Sequence, residues 1–205
     1  MLYYNPHIKR LVDLTLAALA FILFSPLLYF IIIFIKLDST GSTFFGQKRV
    51  GRDFRPFQLL KFRSMAVPDD LKQGQFEPGG SSRITRVGSF LRKTKLDELP
   101  ELYNVFNGDM SIVGPRPEVE KYVELYTKDF EAVLKVRPGL SDFASIKYRD
   151  EELILAGRKD PEGYYINTIL PDKLNLAKQY AQQISFKIDM RIIRKTFQRI
   201  FINNN

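Results

Sequence analysis

The sequence contains no cysteine and a single histidine, His7. Without thiols the chain forms no disulfide, no thiolate zinc site, no iron–sulfur cluster and no cysteine nucleophile. One histidine beside the terminus argues against a His-dependent triad and against a multi-histidine metal site. Acid, base or nucleophilic chemistry therefore falls to carboxylates, hydroxyls or lysines.

Acidic residues are the minority among the charges, with 23 Asp and Glu against 31 Lys and Arg and a formal net charge of +8. A basic chain indicates an anionic partner: nucleic acid, a phosphorylated substrate or anionic lipid. The basic residues are spread along the sequence, and it contains no helix-turn-helix, zinc or RNP signature. We therefore predict no nucleic-acid partner and keep a nucleic-acid-binding module only as an alternative.

The stretch 11–35, "LVDLTLAALAFILFSPLLYFIIIFI", carries one charge, Asp13. It is long enough to span a bilayer, for which ~20 apolar residues suffice, and too long for a signal peptide. Basic residues flank it on both sides, which favours a hairpin with both ends in the cytoplasm. Ser25-Pro26 then marks the bend, because proline removes a helical hydrogen bond. A spanning helix with a tolerated proline kink is the alternative.

The stretch 91–102, "LRKTKLDELPEL", places Asp97 and Glu98 side by side behind three cations. Adjacent helical residues point about 100° apart, so one carboxylate could attack while the other holds a metal. Neighbouring cations would keep a nucleophilic carboxylate ionised and would attract phosphate. The structural alternative is a capping box from Thr94 to Asp97.

Three further segments supply cations suited to phosphate. Arg116 lies between two prolines in "GDMSIVGPRPE" (108–118), where a stiff backbone could hold its guanidinium ready. Lys61 and Arg63 in "KFRSM" share a face if this is a strand, and Arg149 follows "VRPGL". An ordinary loop and a solvated strand edge are the alternatives.

Taken in order, the Ser-Pro run, "KFRSM", "LDELPEL" before "GDMSIVGPRP", and "VRPGL" resemble the bacterial sugar transferases, the monotopic phosphoglycosyl transferases. The resemblance covers essentially the whole chain and is closest to the minimal catalytic form. It implies transfer of a sugar 1-phosphate from a UDP-sugar to polyprenyl (undecaprenyl) phosphate, with release of UMP and a requirement for Mg²⁺. This would be the first membrane step in making O-antigen, capsule, exopolysaccharide or glycoprotein glycan.

The resemblance also assigns roles. It implies that Asp97 is the nucleophile, through a covalent phosphosugar intermediate, and that Glu98 is its metal-associated partner. Phosphate and nucleotide contacts fall to Lys61, Arg92, Arg116 and Arg149. It implies a re-entrant helix broken at Ser25-Pro26, so that the protein is monotopic on the cytoplasmic face of the bacterial inner membrane.

The predicted fold is α+β and mostly helical, with a re-entrant membrane helix (1–38) and a small membrane-associated catalytic domain (39–205). Within it we expect a strand pair over 42–65, two short helices over 83–111, a helix over 117–136 and a helix over 175–201 broken near Ser185. The last part of that helix is amphipathic, with a basic face that suits a membrane surface. Its apolar face is formed by Ile192, Ile193, Phe197, Ile200 and Phe201. A surface helix packed on its own core is the alternative.

One segment departs from the family pattern. Many relatives read "RPGITGLAQVNGR" where this chain reads "RPGLSDFASIKYR", so that Asp142 and Ser145 replace Gly and Gln while Arg149 keeps its place. If the segment 141–149 lines the sugar pocket, the sugar differs from theirs. The sequence leaves the sugar, the pathway and the oligomeric state open, and a homo-oligomer is compatible with it. A non-catalytic membrane scaffold is the remaining alternative.

Overall fold

A computed structural model describes residues 4–66 and 83–201, except for the side chains of residues 200 and 201. Within these ranges the chain forms ten α-helices and four short strands, besides short 3₁₀ turns at Arg52–Phe54 and Leu96–Glu98 and a π-helical turn at Tyr165–Ile169. The helices are Pro6–Asp38 (α1), Arg86–Thr94 (α2), Glu101–Asn107 (α3), Glu120–Leu125 (α4), Thr127–Val133 (α5), Phe143–Lys147 (α6), Glu151–Ala156 (α7), Pro161–Tyr164 (α8), Leu170–Gln182 (α9) and Phe186–Phe201 (α10). The strands are Phe44–Val50 (β1), Pro56–Phe62 (β2), Ser111–Val113 (β3) and Gly139–Ser141 (β4). The predicted, mostly helical architecture with short strands is confirmed.

Helix α1 is a single helix that continues through Ser25 and Pro26. Asn5 begins it, because its side chain accepts a hydrogen bond from the amide of His7 at 2.8 Å. The hydroxyl of Ser25 donates to the carbonyl of Ile22 at 2.8 Å, which is the acceptor that Pro26 leaves without an amide partner. The structure therefore shows no interruption of the helix at Ser25-Pro26, where the sequence predicted a break. Of the described residues, α1 is the one helix long and apolar enough to cross a membrane.

The first half of α1 is fixed to the body of the protein by its one acidic residue. Asp13 is buried, and its carboxylate accepts hydrogen bonds from the Ser111 hydroxyl at 2.7 Å and from the Ile112 amide at 3.1 Å. Arg10 donates to the carbonyl of Val105 at 2.7 Å. The single charge in the apolar run thus binds α1 to strand β3.

The second half of α1 is fixed to a different part of the same body. Ile31 and Ile35 are buried against Phe62 and Leu91, and Asp38 accepts a hydrogen bond from the amide of Val87 at 3.0 Å. Between the two anchored ends, no residue from 18 to 30 is buried. The exposed large apolar side chains there are Leu19, Phe21, Ile22, Leu23, Leu27, Tyr29 and Phe30.

Two small sheets support the loops of the body. Strands β1 and β2 pair antiparallel from Phe44 with Phe62 to Val50 with Pro56, which confirms the predicted strand pair. Strands β3 and β4 pair in parallel, with Ser111 opposite Gly139. A Cβ on Gly139 would come within 2.1 Å of the Gly114 amide nitrogen, so only glycine permits this approach. The "GPRP" and "RPGL" loops therefore lie side by side.

The prediction of one helix over 117–136 is wrong in two places. Glu118 is extended, because its carbonyl accepts a hydrogen bond from the amide of Val50 at 2.9 Å, and α4 therefore begins only at Glu120. Tyr126, at φ −128° and ψ 36°, then separates α4 from α5. The two short helices over 83–111 are confirmed as α2 and α3.

The predicted break near Ser185 is confirmed, since α9 ends at Gln182 and α10 begins at Phe186. In α10, Ile192 is fully buried against Val113 and Tyr180, whereas Phe197 is 55% exposed. The alternative of a helix packed on its own core therefore holds for Ile192. The side chains of residues 200 and 201 lie outside the described part, and attachment of α10 to a membrane stays a prediction.

Candidate active site

The Asp97-Glu98 pair lies on a separate turn between α2 and α3. Helix α2 ends at Thr94, and Lys95 reverses the chain with φ 59°, after which Leu96–Glu98 form one turn of 3₁₀-helix. The Thr94 hydroxyl donates to the carbonyl of Phe90 at 2.8 Å, so it closes the end of α2. The alternative of a Thr94–Asp97 capping box is therefore wrong. The end of α2 therefore positions the two acids, and they do not cap the start of a helix.

This turn, Leu96–Leu99, rests on α1. Leu96 and Leu99, which flank the two acids, pack on the cluster formed around Ile31 and Ile35 of α1. Leu99 also packs on a second cluster, which contains Ala17 of the first half of α1. The apolar helix thus lies directly under the acidic pair.

Glu98 is bound by two cations from different loops. Lys61, near the end of β2, donates from Nζ to Oε1 at 3.0 Å. Arg116 contacts both carboxylate oxygens, with Nη1 3.3 Å from Oε2 and Nη2 donating to Oε1. Burial raises the pKa of Glu98, but the charges of Arg116 and Lys61 outweigh it and hold that pKa well below its usual range. Glu98 is therefore a stable anion that gathers Lys61 and Arg116.

Asp97 lies in a different environment one residue earlier. It is 8% exposed, and its Oδ1 is a buried atom without a hydrogen-bond partner among the described residues. Burial and the charge of Glu98 raise the pKa of Asp97, and the opposing charges of Lys61, Lys95 and Arg116 do not offset them. The neighbouring cations thus lower the pKa of Glu98 but do not prevent a rise in the pKa of Asp97. A buried, weakly solvated carboxylate with a raised pKa is a stronger nucleophile once it is ionised.

A third carboxylate, Glu101, belongs to the same cluster and was not predicted. It is fully buried at the start of α3, and its Oε1 lies 3.5 Å from Lys61 Nζ and 3.9 Å from Arg116 Nη2. Burial and the charge of Glu98 raise the pKa of Glu101 to about 7. Its spacing of three residues from Glu98 could have revealed it, because residues one helical turn apart share a face.

Arg116 reaches the cluster from the loop that follows β3. The loop is stiff because Pro115 and Pro117 flank the arginine. The backbone amide of Arg116 donates to Oδ2 of Asp142 at 3.2 Å. The structure thus places a constrained arginine on Glu98, and its predicted contact with phosphate stays a prediction.

Two of the predicted phosphate contacts have other partners in the structure. Arg92 pairs with Glu152 of α7. Arg149 donates to the backbone carbonyl of Arg199 in α10. Arg63, which was considered beside Lys61, is buried and donates to the backbone carbonyl of Ser39 at 2.7 Å, so it holds the chain after α1. The structure therefore joins Lys61 and Arg116 to the acidic pair, but not Arg92, Arg149 or Arg63.

The cluster is compatible with one Mg²⁺ held mainly by a substrate. No group of three or more His, Asp or Glu side chains is arranged to hold a metal within residues 4–66 and 83–201. Mg²⁺ binds through one or two carboxylates and completes its octahedron with water and phosphate oxygens. Glu98 provides an anionic oxygen, Oε2, whose one hydrogen bond is 3.3 Å long, and Oδ1 of Asp97 is an unpartnered acceptor. The donor set fits Mg²⁺ in charge and in ligand type.

Comparison with known proteins assigns this chain to a family. The profile described as bacterial sugar transferase matches residues 4–203. The chain belongs to this family. It is 36% identical over 203 residues to the UDP-glucose:undecaprenyl-phosphate glucose-1-phosphate transferase of Escherichia coli K12. The alignment covers 97% of this chain and 41% of the relative.

Two further relatives of this chain differ in name. The UDP-N-acetylgalactosamine-undecaprenyl-phosphate N-acetylgalactosaminephosphotransferase of Aeromonas hydrophila is 42% identical over 142 residues, 68% of this chain and 34% of the relative. The exopolysaccharide production protein ExoY of Rhizobium meliloti is 34% identical over 210 residues, 95% of this chain and 86% of the relative. The chain spans between 34% and 41% of the length of the first two curated relatives that it matches.

Proposed function

We propose that this protein transfers a sugar 1-phosphate from a UDP-sugar to polyprenyl phosphate and releases UMP. The observation that carries the proposal is the position of Asp97 and Glu98. Asp97 is buried, Glu98 is half-buried and bound by Lys61 and Arg116, and both lie on a turn that rests on an apolar helix. The names of relatives such as the Escherichia coli glucose-1-phosphate transferase support a UDP-sugar donor and an undecaprenyl phosphate acceptor.

The reaction proceeds in two displacements at one phosphorus atom. A carboxylate oxygen of Asp97 attacks the phosphorus that carries the sugar, and the bond from this phosphorus to the oxygen bridging it to UMP breaks. UMP leaves with that oxygen and its electron pair. A phosphate oxygen of the polyprenyl phosphate then attacks the same phosphorus and displaces Asp97, which regains its carboxylate. The product is a polyprenyl diphosphate sugar. Because the acyl phosphate forms first, the soluble donor and the lipid acceptor react in separate steps.

Lys61 and Arg116 act on the charge of the phosphate groups. The charge in phosphoryl transfer is spread over non-bridging oxygens, so catalysis rests mainly on positioning and on nearby cations. The planar fork of Arg116 can bind two phosphate oxygens at once, whereas Lys61 supplies a point charge. Glu98, with phosphate oxygens of the donor, would hold Mg²⁺, which would neutralise the diphosphate and stabilise the leaving UMP. Arg92 and Arg149, which contact α7 and α10, stay proposals as nucleotide contacts.

We further propose that α1 enters the bilayer and returns. Both of its ends are bonded to one body, through Asp13 at the first end and Asp38 at the second. The stretch between them that has no buried residue, 18–30, is about 13 residues and spans only ~20 Å. A hydrocarbon core is ~30 Å thick, so this stretch is too short to cross while its two ends stay on one body.

This topology agrees with a monotopic protein on the cytoplasmic face of the bacterial inner membrane. Residues 1–38 would form the membrane segment and residues 39–205 the catalytic domain. The reacting groups would lie at the interface, where the phosphate of a lipid acceptor is found. The bilayer is then a partner of the protein as well as the site of its substrate.

Release of UMP from a panel of UDP-sugars tests the proposed function. Detergent-purified protein with Mg²⁺ and undecaprenyl phosphate should release UMP from at least one member of the panel, and Asp97→Asn should not. A membrane scaffold or a nucleic-acid-binding protein would release none. Absence of UMP with every donor, from folded protein in lipid, would overturn the transferase assignment.

A further inference from the structure

We propose that Asp142 is a positioning residue that fixes the loop through which Arg116 reaches Glu98. Asp142 is 3% exposed and lies at the start of α6. Its Oδ2 accepts the amide of Arg116 at 3.2 Å, and its Oδ1 accepts the amide of Ser145 at 2.6 Å. One carboxylate therefore joins the arginine loop to the first turn of α6. The catalytic consequence rests on the proposed function, in which Arg116 binds donor phosphate.

The carbonyls on both sides of Arg116 are bonded, and Asp142 holds the one amide between them. The Gly139 amide donates to the carbonyl of Pro115 at 3.0 Å, and Arg49 donates to the carbonyl of Pro117 at 3.1 Å. Pro115 and Pro117 have no amide hydrogen, which leaves the amide of Arg116 as the one donor from 115 to 117. A backbone donor away from water requires an acceptor, and Asp142 provides it.

The hydrogen bond from the Arg116 amide to Asp142 also orients the guanidinium of the same residue. The Arg116 side chain is 29% exposed, and its guanidinium contacts Glu98 and lies near Glu101. A contact to both oxygens of Glu98 depends on the direction from which the guanidinium arrives. Holding the backbone of Arg116 at Asp142 sets that direction. Asp142 also adds negative charge near Arg116, which together with Glu98 and Glu101 favours the charged form.

This assignment gives a role to one residue of the segment 141–149. A glycine at position 142 would have no side chain to accept the Arg116 amide, so the aspartate provides this contact. It acts on the chemistry through Arg116 and does not itself touch the reacting atoms.

Hydrogen–deuterium exchange tests the bond without any assay of activity. The amide of Arg116 is the only one between Gly114 and Glu118, so overlapping peptides resolve its exchange rate. Asp142→Ala should speed that exchange at least tenfold, and Asp142→Asn, which keeps one acceptor oxygen, should give an intermediate rate. Asp160→Ala is the matched control, because Asp160 also begins a short helix by accepting the amide of Gly163 at 2.9 Å. It should leave the exchange of Arg116 unchanged.

A double-mutant cycle tests the positioning role. Asp142→Ala should lower kcat/KM for the UDP-sugar at least tenfold in the wild-type background and less than twofold in an Arg116→Lys background, because neighbours that act as a unit are not additive. Asp160→Ala should lower it less than twofold in both. Unchanged exchange at Arg116, or equal losses of kcat/KM in both backgrounds, would overturn the proposal. A wild-type protein without transferase activity would refute the proposed function, while the exchange experiment would still decide whether Asp142 fixes Arg116.

Discussion

The hydroxyl of Ser25 donates a hydrogen bond to the carbonyl of Ile22, the acceptor that Pro26 cannot serve. Inside a lipid bilayer such a carbonyl has no water to bond, so the serine preserves a helix that proline would otherwise weaken. The pair allows α1 to bend or tilt at this point without an unsatisfied group. It lies in the exposed middle of α1, between the two ends that are bonded to the body.

The first prediction is that both ends of α1 face the same side of the membrane. Because the sequence has no cysteine, Ile8→Cys and Leu37→Cys, at positions 55% and 78% exposed, give single sites for an impermeant maleimide. Both should react in inverted membrane vesicles and neither in intact spheroplasts. Replacing Ser25 and Pro26 by alanine restores the amide to Ile22 and removes a cost of about 3 kcal/mol, so part of the protein should then span. Labelling of the two cysteines from opposite sides would exclude the re-entrant topology.

The second prediction concerns the anchor of α1. Asp13→Ala should destabilise the protein by about 1–3 kcal/mol, because the Ser111 hydroxyl and the Ile112 amide lose a buried acceptor. Thr15→Ala is the control, since the Thr15 hydroxyl bonds only to the carbonyl of Leu11 on an exposed face. Thermal unfolding in detergent measures both. Equal melting temperatures for the two variants would show that α1 is not held through Asp13.

The third prediction is that activity requires Mg²⁺ through Glu98. Glu98→Gln keeps the shape of the side chain and removes its charge, so turnover should fall by about two orders of magnitude or more, on the scale of lost electrostatic stabilisation. Steady-state UMP release across a magnesium titration measures the effect. Glu120→Gln is a suitable control, because Glu120 forms an exposed pair with Lys48. A Glu98→Gln variant in EDTA that matches the parent in magnesium would contradict the role of Glu98.

The fourth prediction uses the pH dependence of stability at Asp189. Burial raises the pKa of this carboxyl above 3.8, although Lys9 and the Tyr180 hydroxyl oppose the rise and Asp13 adds to it. A raised pKa means that the folded state binds the proton more tightly than the unfolded chain. The contribution of Asp189 to the stability of the fold is therefore present below about pH 3.8 and lost as the pH rises through the pKa of the folded state. The melting-temperature deficit of Asp189→Asn should shrink between pH 4 and pH 7.

Asp172 provides a control of opposite sign. Hydrogen bonds from Lys147 and Tyr148 lower its pKa, so its stabilisation is present above the unfolded pKa and lost as pH falls. The deficit of Asp172→Asn should therefore stay nearly constant between pH 4 and pH 7 and shrink below pH 4. A deficit of Asp172→Asn that shrinks between pH 4 and pH 7, as at Asp189, would contradict this assignment of the two carboxyls.

The sequence predicted the elements that depend on local pattern. The apolar run, the strand pair around "VGRDF" and the break before Phe186 follow from hydropathy, turn residues and periodicity over a few residues. The late start of α4 did not, because the pairing of Glu118 with Val50 joins residues far apart in the chain. Thr94 resembled a cap for the next helix, and only the left-handed turn at Lys95 shows that it ends the previous one.

The residues of the candidate site also differ in whether the sequence could predict them. Asp97, Glu98, Lys61 and Arg116 were found because motif spacing marks them, and the fold brings Lys61 and Arg116 to Glu98. Glu101 was missed because its burial beside Lys61 joins distant parts of the chain, and its spacing from Glu98 was the one local sign of it. The assignments of Arg92 and Arg149 rested on resemblance alone, and their partners lie on α7 and α10.

The most direct test of the covalent transferase is to mix the protein with the UDP-sugar that it accepts, in Mg²⁺ and without any lipid acceptor. Asp97 should take up the sugar phosphate, so UMP should appear in a burst of up to one equivalent per active site. Intact-protein mass spectrometry should show an added sugar phosphate, which peptide mapping places on Asp97 and undecaprenyl phosphate removes. Asp97→Asn should abolish burst and adduct together, because an amide is a far weaker nucleophile. An active wild-type protein that forms no adduct, with initial rates on intersecting double-reciprocal lines, would show direct attack by the lipid phosphate and would contradict Asp97 as the nucleophile.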